Sequence, residues 1–290
     1  MLRIVLTMFA GLLGLAFGSF LNVCLTRWPA GESVVAPRSH CRNCAHTLAW
    51  WENVPLVSWI GLRGRCRGCG TWIGWRYPLV EMAVGVLWAH AAWQTVSATH
   101  SDAFLPSSVE PAISIVAVAV WQMIFDWILV ALAVLDAEHL WLPNWLTWPG
   151  IALGLINTFL LFELHGQAGS VFPAFSVVLG VLIAAGLILL IRLLYWLIRR
   201  REGMGLGDAK LMALLAAWLG LPGALLAFAL GVVLGAVIAV IQLAVPSRRD
   251  DEQRWSLGKL PLGTFLCIGG IVSSLWGQQI LAAYYKLAGL

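Results

Sequence analysis

Charge is what this chain has least of: only 11% of its 290 residues are Asp, Glu, Lys or Arg, whereas 60% are hydrophobic and the mean hydropathy is +0.85. So little charge excludes an ordinary water-soluble globular domain. Other absences narrow the chemistry. There is no His-Glu-x-x-His zinc-protease helix, no Walker-type phosphate loop, and no Ser/His/Asp or Cys/His nucleophile set that stands out. No Ala-x-Ala processing site follows the first apolar run, which is also longer than the roughly 7 to 15 residues of a signal-peptide core, so it reads as a retained span. There is no repeat of fixed period and no low-complexity tail.

What is present is a series of uncharged runs at 4–26, 82–101, 111–125, 140–162, 164–191, 211–247 and 260–285. Most are long enough to cross a bilayer as helices of about 20 residues. The run 211–247 contains Gly220-Leu221-Pro222-Gly223, a turn signal that divides it in two. The expected architecture is therefore an all-α polytopic membrane protein of about eight transmembrane helices. Its expected organisation is a first transmembrane helix at 1–25, a cytoplasmic loop domain at 26–78, and a transmembrane domain of about seven helices at 79–290.

Basic residues set the expected orientation, because Lys and Arg accumulate in short loops that remain cytoplasmic. Seven lie between Arg27 and Arg76, four between Arg199 and Lys210, and four between Arg248 and Lys259. The segments 97–110, 163–173 and 220–223 have none. Both termini should then face away from the cytoplasm. The net charge of +4 follows from this asymmetry, so no nucleic-acid partner is called for, and the basic clusters beside spans are expected to attract anionic lipid. Many of the 17 Trp suit interfacial belts, but Trp218, mid-helix, does not.

The one long polar segment, 26–78, carries four of the six cysteines as Cys41-x2-Cys44 and Cys66-x2-Cys69, separated by 21 residues. Paired C-x2-C knuckles at this spacing read as a tetrahedral zinc site of four thiolates. A shell closed by four cysteines leaves no position for a reactive water, so the metal would be structural. Gly68 and Gly70 suit a tight knuckle, His40 and His46 read as solvated neighbours, and Cys24 and Cys267 read as packing residues. Disulfides fit a reducing cytoplasmic face less well.

Carboxylates in or beside apolar spans are costly and therefore informative. Glu81 and Glu163 read as interface anchors, and Asp126 as either a structural group or a substrate contact. Asp136 lies in LDAEHLWLPNWLT, where Pro143 and Pro149 are expected to end its helix. Asp208 follows Gly205 and Gly207 in GMGLGDAKLMALLAAWLG and opens a helix of only 12 residues before Gly220. At 1.5 Å per residue that is about 18 Å, short of a hydrocarbon core of about 30 Å. The Asp208 end is thus expected below the cytoplasmic surface, with Gly205 and Gly207 opening the backbone to an approaching chain. Asp136 and Asp208 are 72 residues apart, yet this topology puts both at cytoplasmic helix ends. Two carboxylates in a shared, partly desolvated site divide acid and base roles as in aspartic proteases, whereas separate helix capping is the alternative reading.

These blocks, with FGSFLNVCLTRWP, the four-cysteine loop and KLPLGTFL, resemble in order the bacterial type IV prepilin peptidases. These are also called prepilin leader peptidase/N-methyltransferases, and they are intramembrane aspartic proteases with a Gly-x-Gly-Asp signature. The resemblance implies that Asp136 and Asp208 are the catalytic pair, in a bacterial inner membrane, with the site on the cytoplasmic face. It implies type IV prepilins or type II secretion pseudopilins as substrates, cut after a Gly that follows a short basic leader. S-adenosylmethionine-dependent methylation of the new N-terminus is implied by resemblance alone. Asn144 and Thr264 stand where the family usually has Asp and Pro, and neither is expected to touch the pair. A membrane transporter, or a zinc-stabilised assembly scaffold using its carboxylates structurally, is the alternative function.

Overall fold

The computed structural model describes residues 1–101, 109–164, 171–200, 205–244 and 260–289. The long helices are α1 (Leu2–Arg27), α3 (Arg76–Ser101), α4 (Val109–His139), α5 (Asn144–Leu164), α6 (Val171–Arg199), α7 (Leu206–Ala244) and α8 (Leu262–Ala288). A 3₁₀ turn (Trp50–Asn53) and the short α2 (Val57–Gly61) lie between α1 and α3. Among the described residues there is no β-strand, only the isolated antiparallel bridges His40–Thr47 and Arg65–Trp72. Among the described residues, five helical stretches are long and apolar enough to cross a membrane: Leu2–Arg27, Val116–His139, Phe175–Arg199, Leu206–Gln242 and Leu262–Ala288. The protein is an all-helical, multi-pass membrane protein. Large apolar side chains such as Ile4, Phe9, Leu182 and Val233 point outward, the arrangement that a hydrocarbon solvent requires.

Helix ends follow local chemistry. After His139 the chain leaves the helix through Leu140, at a positive φ of 50°, and restarts at Asn144 behind Pro143. Pro149 does not act as a breaker, contrary to expectation, but lies within α5. Gly220 breaks α7 as expected, although by one residue and not by a loop: it alone is non-helical, at φ 70° and ψ 172°. A residue with a side chain is strained there. The first half, 206–219, is about 21 Å long. Gly289 closes α8 in the left-handed conformation, its amide donating to Tyr285 O. The calls on Glu163 and on the basic segment 248–259 fall outside the described side chains.

The chain forms two compact units, Met1–Ala131 and Leu132–Leu290. In the first, α1 and α3 run antiparallel on a seam of small residues. A Cβ on Gly14 would lie 2.8 Å from Val84 O, and one on Gly18 would lie 2.7 Å from Glu81 Cα. Such backbone contact is how helices associate where lipid removes the hydrophobic drive. Asn22 Nδ2 donates to Tyr77 O at 3.0 Å at the end of this seam, where the cysteine loop leaves and re-enters the helices.

In the second unit α7 packs on α5, α6 and α8 through the fully buried Leu211, Met212, Leu214, Leu215 and Leu266. A Cβ on Gly269 would meet Ala227 O at 2.2 Å, so α8 touches the α7 backbone directly. Trp218, which interface placement could not explain, donates its Nε1 to Gly150 O on α5 at 2.8 Å. Thr158 Oγ1 on α5 reciprocates to Ala217 O at 2.9 Å. In hydrocarbon such side chain to backbone bonds hold helices together.

Candidate active site and metal centre

In the first unit the two C-x2-C segments fold as matching knuckles. Cys41 N donates to His46 O and Ala45 N to Cys41 O, each at 2.9 Å; Cys66 N donates to Thr71 O at 2.9 Å and Gly70 N to Cys66 O at 2.8 Å. The left-handed residue is Gly70 (φ 71°) in one knuckle and Ala45 (φ 55°) in the other. All four sulfurs lie within 4.8 Å of one another, with Cys41–Cys69 and Cys44–Cys66 at 3.9 Å. A tetrahedral zinc with bonds of about 2.3 Å sets its sulfurs about 3.8 Å apart, so the cluster fits a metal of this kind. A disulfide needs about 2.05 Å, and all four cysteines are free.

The surroundings favour a thiolate at Cys69 and Cys41, whereas the Cys44 thiol is pushed up to about 12. The Cys69 thiol is pushed down to about 5, first by the Thr71 hydroxyl 3.2 Å away and then by Asn43 Nδ2, which donates to it at 3.5 Å. The Cys41 thiol is held below its usual range by the backbone amides of Asn43 and Cys44. The loop is pinned by groups whose roles were misread from sequence. Arg27, counted above only as a cytoplasmic charge, is buried and donates to Ser33 O and Pro37 O, each at 2.7 Å. Glu81 is no interface anchor: it is buried and accepts from Leu56 N at 2.8 Å. His46 is not merely solvated, because its Nε2 lies 3.2 Å from Glu52 Oε2. That same oxygen accepts from Ala49 N at 2.7 Å, and this amide, followed by His46, holds the Glu52 carboxyl below the usual range. Cys24 and Cys267 are buried packing residues, as expected.

The aspartates lie in the second unit, at the last turn of α4 and the first turn of α7. Asp136 is 6% exposed and Asp208 9%, and the two carboxylates interact electrostatically. Separate solvated caps would show neither property. α8 supplies the connection. Its Thr264 amide donates to Asp136 Oδ2 at 2.8 Å, and the Thr264 hydroxyl, which donates to Ala133 O at 2.9 Å, is 3.3 Å from the same oxygen. The expectation that residue 264 does not touch the pair is therefore wrong. A Cβ on Gly263 would lie 2.8 Å from Asp136 Oδ2, so only glycine lets α8 come this close.

Leu142 packs between these elements, 3.0 Å from where a Cβ on Gly207 would sit and 3.2 Å from one on Gly263. The space beside Gly207 is thus taken by this chain's own Leu142. At Gly205 a Cβ would meet Asp208 Oδ2 and Gly207 N, each at 3.7 Å, and Asp208 takes a hydrogen bond from the Gly205 backbone. Lys210 donates to Asn144 Oδ1, tying the start of α5 to the start of α7. Asp126 is in the other unit, 1% exposed, and accepts from Gln122 Nε2 at 2.9 Å.

Residues 123–240, which carry both buried carboxylates, match the type IV leader peptidase family, and residues 12–95 match the bacterial peptidase A24 N-terminal domain. The chain belongs to the type IV leader peptidase family. It is 33% identical over 305 residues to a prepilin leader peptidase/N-methyltransferase of Stutzerimonas stutzeri, covering 96% of this chain and 93% of that one. It is 34% identical over 302 residues to the protein of that name in Pseudomonas aeruginosa, with 96% and 93% covered. The relative in Myxococcus xanthus is 36% identical over 243 residues, with 83% and 64% covered. No solved structure matches. The family match covers both the aspartate-bearing helices and the cysteine loop, and membership favours a peptidase over a transporter or scaffold. Sequence reasoning missed Thr264 and Leu142. KLPLGTFL carried the signal for the first, but nothing in ALAVLDAEHLWLPNW marked Leu142 as the residue filling the glycine gaps.

Proposed function

We propose that this protein is a membrane prepilin leader peptidase in which Asp136 and Asp208 hydrolyse the leader peptide bond and the cleaved substrate is then N-methylated. The observation that carries the hydrolytic assignment is the pair itself: two buried, mutually interacting carboxylates brought from sequence positions 72 residues apart. Two such groups share one proton, and they act as a unit. The ionised carboxylate takes a proton from water as its oxygen attacks the scissile carbonyl carbon, and the protonated one donates a hydrogen bond to the carbonyl oxygen. Collapse of the tetrahedral intermediate breaks the C–N bond, and the departing amine takes up a proton. The Thr264 amide, 2.8 Å from Oδ2, and the Gly263 backbone hold the Asp136 carboxyl in place.

The substrates in this reading are type IV prepilins or type II secretion pseudopilins, whose basic leader stays at the cytoplasmic face of a bacterial inner membrane. The eight-span topology with both termini outside, anionic lipid at the basic loops, and substrate approach at Gly205 and Gly207 belong to the same proposal. Cys41, Cys44, Cys66 and Cys69 would hold a structural zinc, which folds the loop and takes no part in hydrolysis. S-adenosylmethionine, when bound, supplies an electrophilic methyl group that the substrate's freed amine accepts.

The test is incubation of the purified, detergent-solubilised protein with a full-length prepilin and S-adenosylmethionine, followed by mass analysis. Loss of the leader with a 14 Da gain on the mature N-terminus is expected, the gain being that of a methylene. Full leader removal by Asp136→Asn or Asp208→Asn would sink the hydrolytic assignment.

A further inference from the structure

The outward stripe of α3 does not stop where the helix begins. Leu79, Met82, Val86 and Trp93 are exposed and recur at helical spacing on the side away from the α1 seam. Because α1 is long and apolar enough to span and α3 lies along it, that outward side is where hydrocarbon meets the helix. Trp75, just ahead of α3, falls in phase with the stripe: its carbonyl accepts from Leu79 N at 3.1 Å, and it is 60% exposed. From there the apolar surface runs into the cysteine loop. The Trp75 ring lies 4.5 Å from that of Trp59 on α2 and 5.8 Å from that of Trp72, centroid to centroid. Trp72 is exposed, and on α2 Val57 and Ile60, three residues apart on one face, are 66% and 67% exposed.

This surface is built, not loose. Trp59 Nε1 donates to Ile73 O at 3.1 Å, and at Gly64 (φ 67°) a Cβ would lie 2.5 Å from the Trp72 ring and 2.9 Å from the Trp59 ring. The turn between α2 and the second knuckle thus seats both indoles. An apolar face of this kind in a polar loop marks an interaction surface, and the charge around it points to the partner. Residues 53–80 contain Arg63, Arg65, Arg67 and Arg76 and no acidic residue. The first three are exposed, whereas Glu52 and Glu81 on either side are buried. Indoles gather at the level of lipid headgroups, and arginines beside them meet anionic phosphates. A soluble protein partner would not require the patch to continue a lipid-facing stripe. We propose that the cysteine loop lies down on the bilayer, with Val57, Ile60, Trp72 and Trp75 in the headgroup region and Arg63 and Arg65 on the phosphates of anionic phospholipid. This gives the attraction of the basic loops to lipid a defined surface, and it does not depend on the hydrolytic assignment.

The test uses the full chain in nanodiscs of phosphatidylcholine alone and of phosphatidylcholine with phosphatidylglycerol, each doped with a phospholipid carrying a diazirine at headgroup level. Lipid adducts are mapped by mass spectrometry. They are expected at residues 57–60 and 72–75 as well as at 79–86, with slower amide exchange across 56–65 in the discs that contain phosphatidylglycerol. Arg63→Gln with Arg65→Gln should reduce that added protection about tenfold. Val57→Asp with Ile60→Asp should remove the loop adducts while exchange across 39–47 and adducts at 79–86 stay at the wild-type level. Wild-type adducts at 79–86 with none in the loop overturn the proposal. Loop exchange that is equal in the two kinds of disc overturns it too, because anionic headgroups then play no part. Protection that appears only in discs holding two copies assigns the face to a second copy and overturns it as well.

Discussion

The cysteine loop and the aspartate pair are built on opposite principles. The loop brings its ligands together within 29 residues by two tight knuckles whose hydrogen bonds run between near neighbours. The pair brings two groups 72 residues apart into one site, and each end depends on helix packing and on α8. A local site fails when one of its own residues is lost. A distributed site fails when any helix that carries it moves, and this difference is open to experiment.

The largest effect expected is on the distributed site. Asp136→Asn and Asp208→Asn should each lower leader cleavage by about 10²-fold or more, the range typical of a lost acid or base, with unfolding temperature unchanged. Next comes the local site. Cys69→Ser or a strong chelator should remove bound zinc and raise amide exchange across residues 39–72, while exchange in α7 and α8 stays at the wild-type level. Spread of that damage into α7 would erase the contrast between the two regions.

A smaller effect sharpens it. Thr264→Val keeps the amide bond to Asp136 and should change kcat by less than about threefold, whereas Thr264→Pro removes that donor and should lower kcat about tenfold with KM nearly constant. Equal effects on kcat and KM would make Thr264 a substrate contact and not a positioning residue. The smallest effect is titration of the loop. Because Ala49 N and His46 hold the Glu52 carboxyl below its unfolded value of about 4.3, its stabilisation is complete above that value. It is lost as pH falls through the folded one. Loop amide protection should therefore decline below about pH 4, and Glu52→Gln should flatten that limb.

The same contrast explains what could be read before any coordinates. Cys41, Cys44, Cys66 and Cys69 announce their site because ligand spacing within a turn is a local property, and the geometry agrees with it. Gly220 likewise announces the break in α7. The aspartates were legible as candidates because carboxylates stand out in an apolar chain, but their partnership depended on topology and resemblance. Thr264, Leu142 and the buried roles of Arg27 and Glu81 were not legible. A buried arginine in a basic loop has the same letter as an exposed one, and its carbonyl partners Ser33 and Pro37 leave no pattern in sequence. Pro149 was misjudged because a proline inside an apolar helix removes one bond without ending the helix where neighbours hold it.

The α1–α3 seam has a mechanical consequence. Gly18 lies against the Cα of Glu81, and Glu81 borders the cavity among the end of α1, the knuckles and α2 while fastening the loop through Leu56. A single methyl group at position 18 would act as a shim, forcing α3 outward and carrying one cavity wall and one loop fastening with it. The dimensions of a chamber outside the helix seam are thus gauged by an atom that α1 omits.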